Sequence, residues 1–553
     1  MTTRGKIILT LLVLGVVAVG AWKWWDRLSA APGASQTNNT TKASNSTAAD
    51  VKAAELVETQ FEIPTLDAPA AYQPKDNTVL IELSEYAGYA GLIVANGGLD
   101  PNENSLFFKK HGFKVKIALS EEESWSALNA GKMAASATTV DVLAIHGKQF
   151  QVVVPAQIGF SRGADGVVVR KDIKRINALK GKILATAQFT EADFFIRYLA
   201  QEAGLGIHLL PNFATSPDPE KLNLVFCTDA FAAGDLFLRD LQEGQLLAGC
   251  VTWAPKTSEI VKQSKGLAHT LATSANLLIV ADILIVNKGF AQQHPEMVAG
   301  LVNGLLEGNR AVRDNPDTYL DLIGKAFKWQ RDQTKAELAK VHLSNLPENL
   351  AFFSGAIDAA GSFGGIYQAA VYSYGTTLVK DPVDGDRFQD LKHLKALEQS
   401  GAFKDQKIAI SPIRTGGAAA VEGDPILSKD IRFLFSPNSA SLDLTVEENL
   451  KNLEVIKKLL QVSPGSTVLL RGHVDNSKVE EFRKTGGEAY VRTMALRSIE
   501  LSKNRAAEIK RLLGERHAVG VERVDIVGRG WEEPVGPDPE LNRRVEVQWF
   551  MLE

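Results

Sequence analysis

Few residues in this 553-residue chain are spaced for bond-making chemistry. The stretch Gly159-Phe-Ser161-Arg-Gly163 fits G-x-S-x-G, the spacing of a nucleophile elbow, in which a strand-to-helix turn presents a serine hydroxyl to a substrate carbonyl. An elbow needs a helix after the serine, and the residues that follow, Gly166–Val169, are strand-like, so a plain turn is expected. The nine histidines form no i, i+4 pair and no cluster with cysteine, which leaves a metal hydrolase without ligands. No G-x-x-x-x-G-K-[ST] loop is present, so the chain does not drive transport by itself. The reading is a protein that is not an enzyme, with no catalytic residue, no metal and no cofactor. Cys227 and Cys250 lie in the apolar runs LVFC and LAGCVTW, where two buried thiols and one disulfide both remain open.

Binding is then the chemistry to look for, and the elements that would position it can be read along the chain. A hydrophobic fraction of 45%, 23% charged residues and a net charge of -4 describe folded domains and argue against a nucleic-acid partner. Arg4 and Lys6 precede an apolar run from Ile7 to Trp22, extended by Trp24 and Trp25 as an interfacial belt. Residues 1–27 are therefore expected as a single-pass anchor in the inner membrane with the bulk of the chain in the periplasm. A cleaved signal peptide, with Ser29, Ala30 and Ala31 as the small residues, is the alternative. Residues 28–75 are rich in Ala, Ser, Thr, Asn and Pro and read as a disordered linker, and residues 411–429 read as a second one.

Between the linkers, residues 76–410 alternate strand-like and helix-like stretches, an α/β rhythm. The run LLIVADILIV around Ala281 and Asp282 reads as a strand buried on both faces. Residues 430–553 read as β-α-β-α-β-β, an α+β domain. Its parts are a strand Ile431–Phe435, a capping box from Thr445 to Glu448, a helix opened by Ser502, and a last strand in which Val545, Val547 and Trp549 alternate.

Four segments of the middle domain resemble, in order, the nitrate/sulfonate/taurine-type solute-binding proteins of ABC transporters. They are Ser84-Glu-Tyr86-Ala-Gly-Tyr89, Ala127–Gly131 leading to Ala137-Thr-Thr-Val-Asp141, Val251-Thr-Trp253-Ala-Pro255, and Asn287–Arg313. The resemblance covers roughly residues 76–400 and implies a type II periplasmic-binding-protein fold: two α/β lobes, with hinges near Val168–Arg170 and Ala281–Asp282 and a cleft between them for a small polar solute. By position it points to Ser84, Tyr86, Tyr89, Thr138, Thr139, Gln188 and Trp253 as ligand-binding residues. Plain cleft or core packing is the competing account of the tyrosines and Trp253.

In the terminal domain, Gly472-His-Val-Asp475, Leu501-Ser502-Lys-Asn-Arg505-Ala506, Gly528-Arg-Gly530 and Asn542-Arg543-Arg544-Val545-Glu546 resemble the signature of OmpA-like peptidoglycan-binding domains. An extra segment around Glu480–Val491 and Ser498 in place of an asparagine depart from it. The resemblance implies that Asp475, Arg505, Ser502, Asn542 and Arg543 bind peptidoglycan through its diaminopimelate. If Ser502 caps a helix, Arg505 lies in the first turn, where the macrodipole disfavours a cation, so a carboxylate partner is expected. Two functions fit the whole chain. In one, wall and membrane attachments hold a solute-binding or sensing domain near a membrane-protein partner; in the other, a structural linker contacts proteins through its middle domain.

Overall fold

The computed structural model describes residues 56–121, 124–275, 277–356, 361–410, 427–431, 433, 435, 439–462 and 466–550. The expected anchor at 1–27, the linker residues 28–55 and the linker residues 411–426 lie outside these. Among the described residues no helix is long and apolar enough to cross a membrane.

A first lobe starts with β1 (Thr78–Leu83), β2 (Lys114–Leu119), β3 (Ala135–Thr139) and β4 (Val152–Ser161). β1 pairs in parallel with both β2 and β3, and parallel neighbours require crossover connections, here occupied by short helices such as Ala90–Asn96 and Trp125–Asn129. The chain then builds a second lobe from β5 (Gly166–Arg170), β6 (Ile183–Ala187), β7 (Ile207–Leu209), β8 (Leu222–Cys227), β9 (Gly249–Thr252) and β10 (Ala268–Thr273). It returns to the first lobe with β11 (Ala281–Asn287) and β12 (Val341–Leu343). The two sheets run β12-β4-β11-β3-β1-β2 and β10-β5-β9-β6-β8-β7. Every residue of β11 is buried, as its apolar sequence predicts, because β3 and β4 flank it and both faces are covered. Cys227 and Cys250 are buried thiols rather than a disulfide.

The lobe crossings differ from the expected hinges. They run through residues 162–165 and through the stretch that ends with 277–280, whereas Val168–Arg170 and Ala281–Asp282 belong to β5 and β11. Ladders to β9 and β10 flank β5 on both sides. The two crossings are tied to each other instead: the Ser161 and Ser274 hydroxyls lie 2.6 Å apart, and the Ser274 amide donates to the Asp165 carbonyl at 3.0 Å. Ser161 thus ends a strand at a lobe crossing, and no helix follows it.

The linker reading of 28–75 is corrected for its described part. Residues 56–75 form a strap laid across both lobes. In the second lobe, the Val57 amide donates to the Phe226 carbonyl and the Thr59 hydroxyl to the Leu210 carbonyl, both at 2.9 Å. In the first lobe, the Leu66 amide donates to Gln149 Oε1 at 2.9 Å and the Tyr72 amide to Asn287 Oδ1 at 3.2 Å. Val57, Leu66 and Tyr72 supply apolar anchors amid a polar composition, which a reading by average composition passes over.

The terminal domain has the sheet order β13-β16-β14-β15, from β13 (Leu427–Ile431), β14 (Thr467–Gly472), β15 (Val524–Gly528) and β16 (Val545–Phe550). Helix Val479–His517 packs on β14 and β15, helix Glu447–Val462 packs against that helix, and a single turn, Pro539–Asn542, precedes β16. The first strand lies earlier than expected, and Phe435 makes an isolated bridge with Leu442 instead. The capping box is also corrected: the Thr445 hydroxyl donates to Asp443 Oδ1 at 2.7 Å, so an Asx-type turn leads into the helix. Ser502 opens no helix. The extra segment continues the long helix back to Val479, with a break at Gly486 and Gly487, and Ser502 lies well inside it.

Candidate binding sites in the interlobe cleft and the terminal domain

The strand ends of both lobes meet around a recess of about 50 Å³. The turn after β1 carries Ser84, Tyr86 and Tyr89, the end of β3 carries Thr138 and Thr139, and the residue after β9 is Trp253; all six line the recess. A Cβ on Gly88 would sit 2.2 Å from the Tyr86 ring, so the glycine lets that ring fold back over its own turn. The Tyr86 and Tyr89 rings pack edge to face at 5.1 Å. Their hydroxyls reach Asp282, at 3.3 Å to Oδ2 and 3.5 Å to Oδ1 respectively.

Of the seven expected ligand residues, Gln188 lies outside the recess. It is engaged by the strap: Gln60 N–H donates to Gln188 Oε1, and Gln188 Nε2 donates to the Gln60 carbonyl. Gln188 belongs to a larger outer chamber of about 530 Å³, bordered by the strap and sharing Glu121 and Trp125 with the recess.

Sequence reasoning missed five carboxylates in the recess wall: Glu82, Glu121, Asp165, Glu191 and Asp282. Asp282 carried a readable signal, since it interrupts a run otherwise apolar on both faces. Burial, then the neighbouring Asp165 carboxylate, pushes the Asp282 carboxyl well above the usual range. Burial likewise raises Asp165, and it raises Glu121 to about 7.

The second site is a cavity of about 120 Å³ lined by Phe433, Phe435, His473, Arg505, Arg543 and Arg544, among others. Arg505 Nε donates to the Ser439 carbonyl at 3.1 Å and its guanidinium lies 5.0 Å from the Phe435 ring centre. It has no carboxylate within ion-pair distance among the described residues, although it is 8% exposed. Burial, followed by repulsion from Arg543, holds its pKa below the usual value. Its need for an anion therefore comes from burial beside a second guanidinium and not from a position in a helix's first turn, since Arg505 lies well inside the helix.

Asp475 pairs with Arg543 at 3.4 Å. Burial works against its charge, but the Ser477 hydroxyl and amide together with Arg543 hold its pKa below the usual range. Ser502 and Asn542 are the two expected peptidoglycan residues that the structure removes from the surface. Ser502 is 0% exposed; its hydroxyl donates to the Ile499 carbonyl and accepts from Gly530 N–H at 3.0 Å. Asn542, 1% exposed, braces the loop before β16 by accepting from Val535 N–H and donating to the Gly536 and Asp538 carbonyls.

Residues 103–319 match a family described as NMT1/THI5 like, and residues 434–547 match the OmpA family. No curated protein matches the chain in sequence. Among solved structures, the periplasmic aliphatic sulphonate binding protein of Escherichia coli is 16% identical, with 57% of this chain and 92% of that one covered and a TM-score of 0.41. The periplasmic nitrate-binding protein of Synechocystis is 13% identical, with 60% and 90% covered and a TM-score of 0.42. The alkanesulfonate-binding protein of Xanthomonas axonopodis bound to MOPS is 13% identical, with 58% and 100% covered and a TM-score of 0.43. The chain thus carries an NMT1/THI5-like module in its middle and an OmpA-family module toward its C-terminal end.

Proposed function

We propose that this chain is an envelope protein of the periplasm that holds a small polar solute in its interlobe cleft and peptidoglycan in its terminal domain, with residues 1–27 anchoring it in the inner membrane. The observation that carries the reading is the coexistence, in one chain, of a polar recess enclosed by two lobes and an arginine-lined cavity in an OmpA-family module. Recesses where strand ends converge suit small polar ligands, because amides, hydroxyls and carboxylates gather there. The terminal cavity suits diaminopimelate, which has a carboxylate and an ammonium on one carbon. Arg505 and Arg543 supply guanidinium forks for the carboxylate, and Asp475 supplies an anion for the ammonium. Tethering to wall and membrane keeps the solute-binding domain near a membrane-protein partner that would use the bound state.

Sedimentation of the full chain with purified diaminopimelate-type sacculi tests the wall assignment. Arg505→Ala and Asp475→Ala are each expected to abolish co-sedimentation while far-ultraviolet circular dichroism stays unchanged; undiminished sedimentation of both rejects it. The anchor is tested by mass spectrometry of the mature protein, where a new N-terminus near Ala31 or Pro32 would show a cleaved leader.

A further inference from the structure

The recess is unusual in its charge. Among the described residues five carboxylates line it and no lysine, arginine or histidine does. Two other buried acids of the fold are neutralised: Asp193 pairs with Arg197 at 2.7 Å and Asp240 with Arg170 at 2.6 Å. In the recess, Glu82, Glu121, Asp165 and Asp282 have no ion pair among the described residues. Asp165 and Asp282 are 3% exposed each, and the bonds to Asp282 come from two neutral phenols. Keeping two neighbouring acids out of water with no counter-charge is unfavourable, and a cation arriving between them relieves that penalty.

A second, independent observation concerns Trp253. It is 7% exposed and lines the recess, yet its indole N–H has no acceptor among the described residues. An occupant that accepts a hydrogen bond would satisfy it. Tyr86, Tyr89, Trp125 and Trp253 add four aromatic rings to the wall, the surroundings in which an organic cation gains from ring quadrupoles. A bare metal ion fits less well, because no group of three or more His, Cys, Asp or Glu side chains converges on one point among the described residues.

Resting on the reading of the middle domain as a solute binder, we propose that its recess selects small organic cations: an ammonium or amidinium group taken by Asp165 and Asp282, on a molecule that also offers a hydrogen-bond acceptor to Trp253. An anion would meet five carboxylates and no positive side chain. The recess therefore discriminates by charge before shape, and the lobes close on an occupant that neutralises the wall.

The test is thermal denaturation of the full chain at constant ionic strength. The probes are choline, putrescine and arginine as cations, ethanesulfonate, nitrate and sulfate as anions, and glucose as a neutral solute, each at millimolar concentration. At least one cation is expected to raise the melting temperature, and no anion. Asp165→Asn and Asp282→Asn should each weaken that cation at least tenfold. Both variants should melt no lower than the parent without ligand, since asparagine keeps hydrogen-bonding capacity while the unpaired charge is gone. Trp253→Phe should weaken it severalfold. Stabilisation by an anion or by glucose and by no cation, or cation binding untouched by both asparagine variants, overturns the charge selection and leaves solute binding standing. Stabilisation by none of the seven overturns both readings.

Discussion

Gln188 and Gln60 are joined by two hydrogen bonds, 2.8 Å from Gln60 N–H to Gln188 Oε1 and 2.6 Å from Gln188 Nε2 to the Gln60 carbonyl, across 128 residues of sequence. The pair pins the strap to the second lobe, while Leu66 and Tyr72 are pinned to the first. Any opening of the lobes must lengthen or release the strap between those points. The lobes are thereby coupled to the segment that follows residues 28–55.

Releasing that pin should loosen the strap without unfolding a lobe. Gln188→Ala removes two hydrogen bonds at an exposed site, about 1 kcal/mol together, which corresponds to roughly fivefold more frequent local opening. Hydrogen exchange followed by mass spectrometry should show faster exchange in peptides spanning residues 56–62, with protection in β8 and β11 retained. Unchanged exchange in the strap would mean that Val57 and Thr59 hold it alone.

Stability should fall as the pH rises from about 4 to 7. Asp141 is 1% exposed, neither carboxylate oxygen has a partner of good hydrogen-bond geometry among the described residues, and burial, opposed by the Thr139 hydroxyl, raises its pKa to about 7. A carboxyl whose folded pKa is raised binds its proton more tightly folded than unfolded. Its contribution is full below the unfolded pKa and is lost as the pH climbs through the folded one. Glu121, also raised to about 7, acts in the same direction. Urea denaturation should find the parent less stable at pH 7.5 than at pH 5, and Asp141→Asn should recover on the order of 3 kcal/mol of that loss. An equal pH dependence in Asp141→Asn would refute the assignment.

Ser502 and Arg505 sit three residues apart on one helix and should separate stability from binding. Ser502→Ala leaves the buried Gly530 N–H without its acceptor, a loss of about 1–3 kcal/mol in unfolding free energy, with sacculus binding of the folded protein preserved. Arg505→Ala should do the reverse. If Ser502→Ala lost binding at full stability, its hydroxyl would have to reach the ligand directly.

Close approach of the long helix to the terminal sheet depends on two glycines. A Cβ at Gly472 would lie 2.1 Å from the Ser502 carbonyl oxygen, and one at Gly528 2.3 Å from that of Ile499. Gly472→Ala and Gly528→Ala should each cost about 1–3 kcal/mol or more, because backbone must move on both sides. Thermal denaturation checks this, and melting temperatures equal to the parent's would show that the helix can shift at little cost.

Much of this architecture was legible because burial imposes periods on sequence. The alternation of Val545, Val547 and Trp549 and the continuous apolar run into β11 state which faces are covered, whatever the partner. Gly472, Gly528 and the turn around Gly88 were visible as letters in motifs, and their spacing sufficed to find six residues of the recess and the Arg505–Arg543 cavity. Ser502 and Asn542 were visible in the same way, and the structure buries both. A motif records that a residue is needed, and burial decides whether it faces a ligand or braces the fold.

What the tertiary structure alone decided is charge balance and long-range pairing. Glu82, Glu121, Asp165, Glu191 and Asp282 lie up to 200 residues apart along the chain, and only the folding of two lobes brings them to one wall, where lost hydration raises the pKa values of Glu82, Glu121, Asp165 and Asp282. The strap was hidden for a related reason. Its composition is that of a tether, but Leu56, Val57, Ile63, Leu66 and Tyr72 pack against the lobes alongside a few backbone hydrogen bonds to distant residues, and average composition carries no record of such partners. Sequence by itself determined the two modules and the order of most of their elements; where those elements begin, and which of their polar groups stay paired, buried or exposed, follows from distances that no local pattern contains.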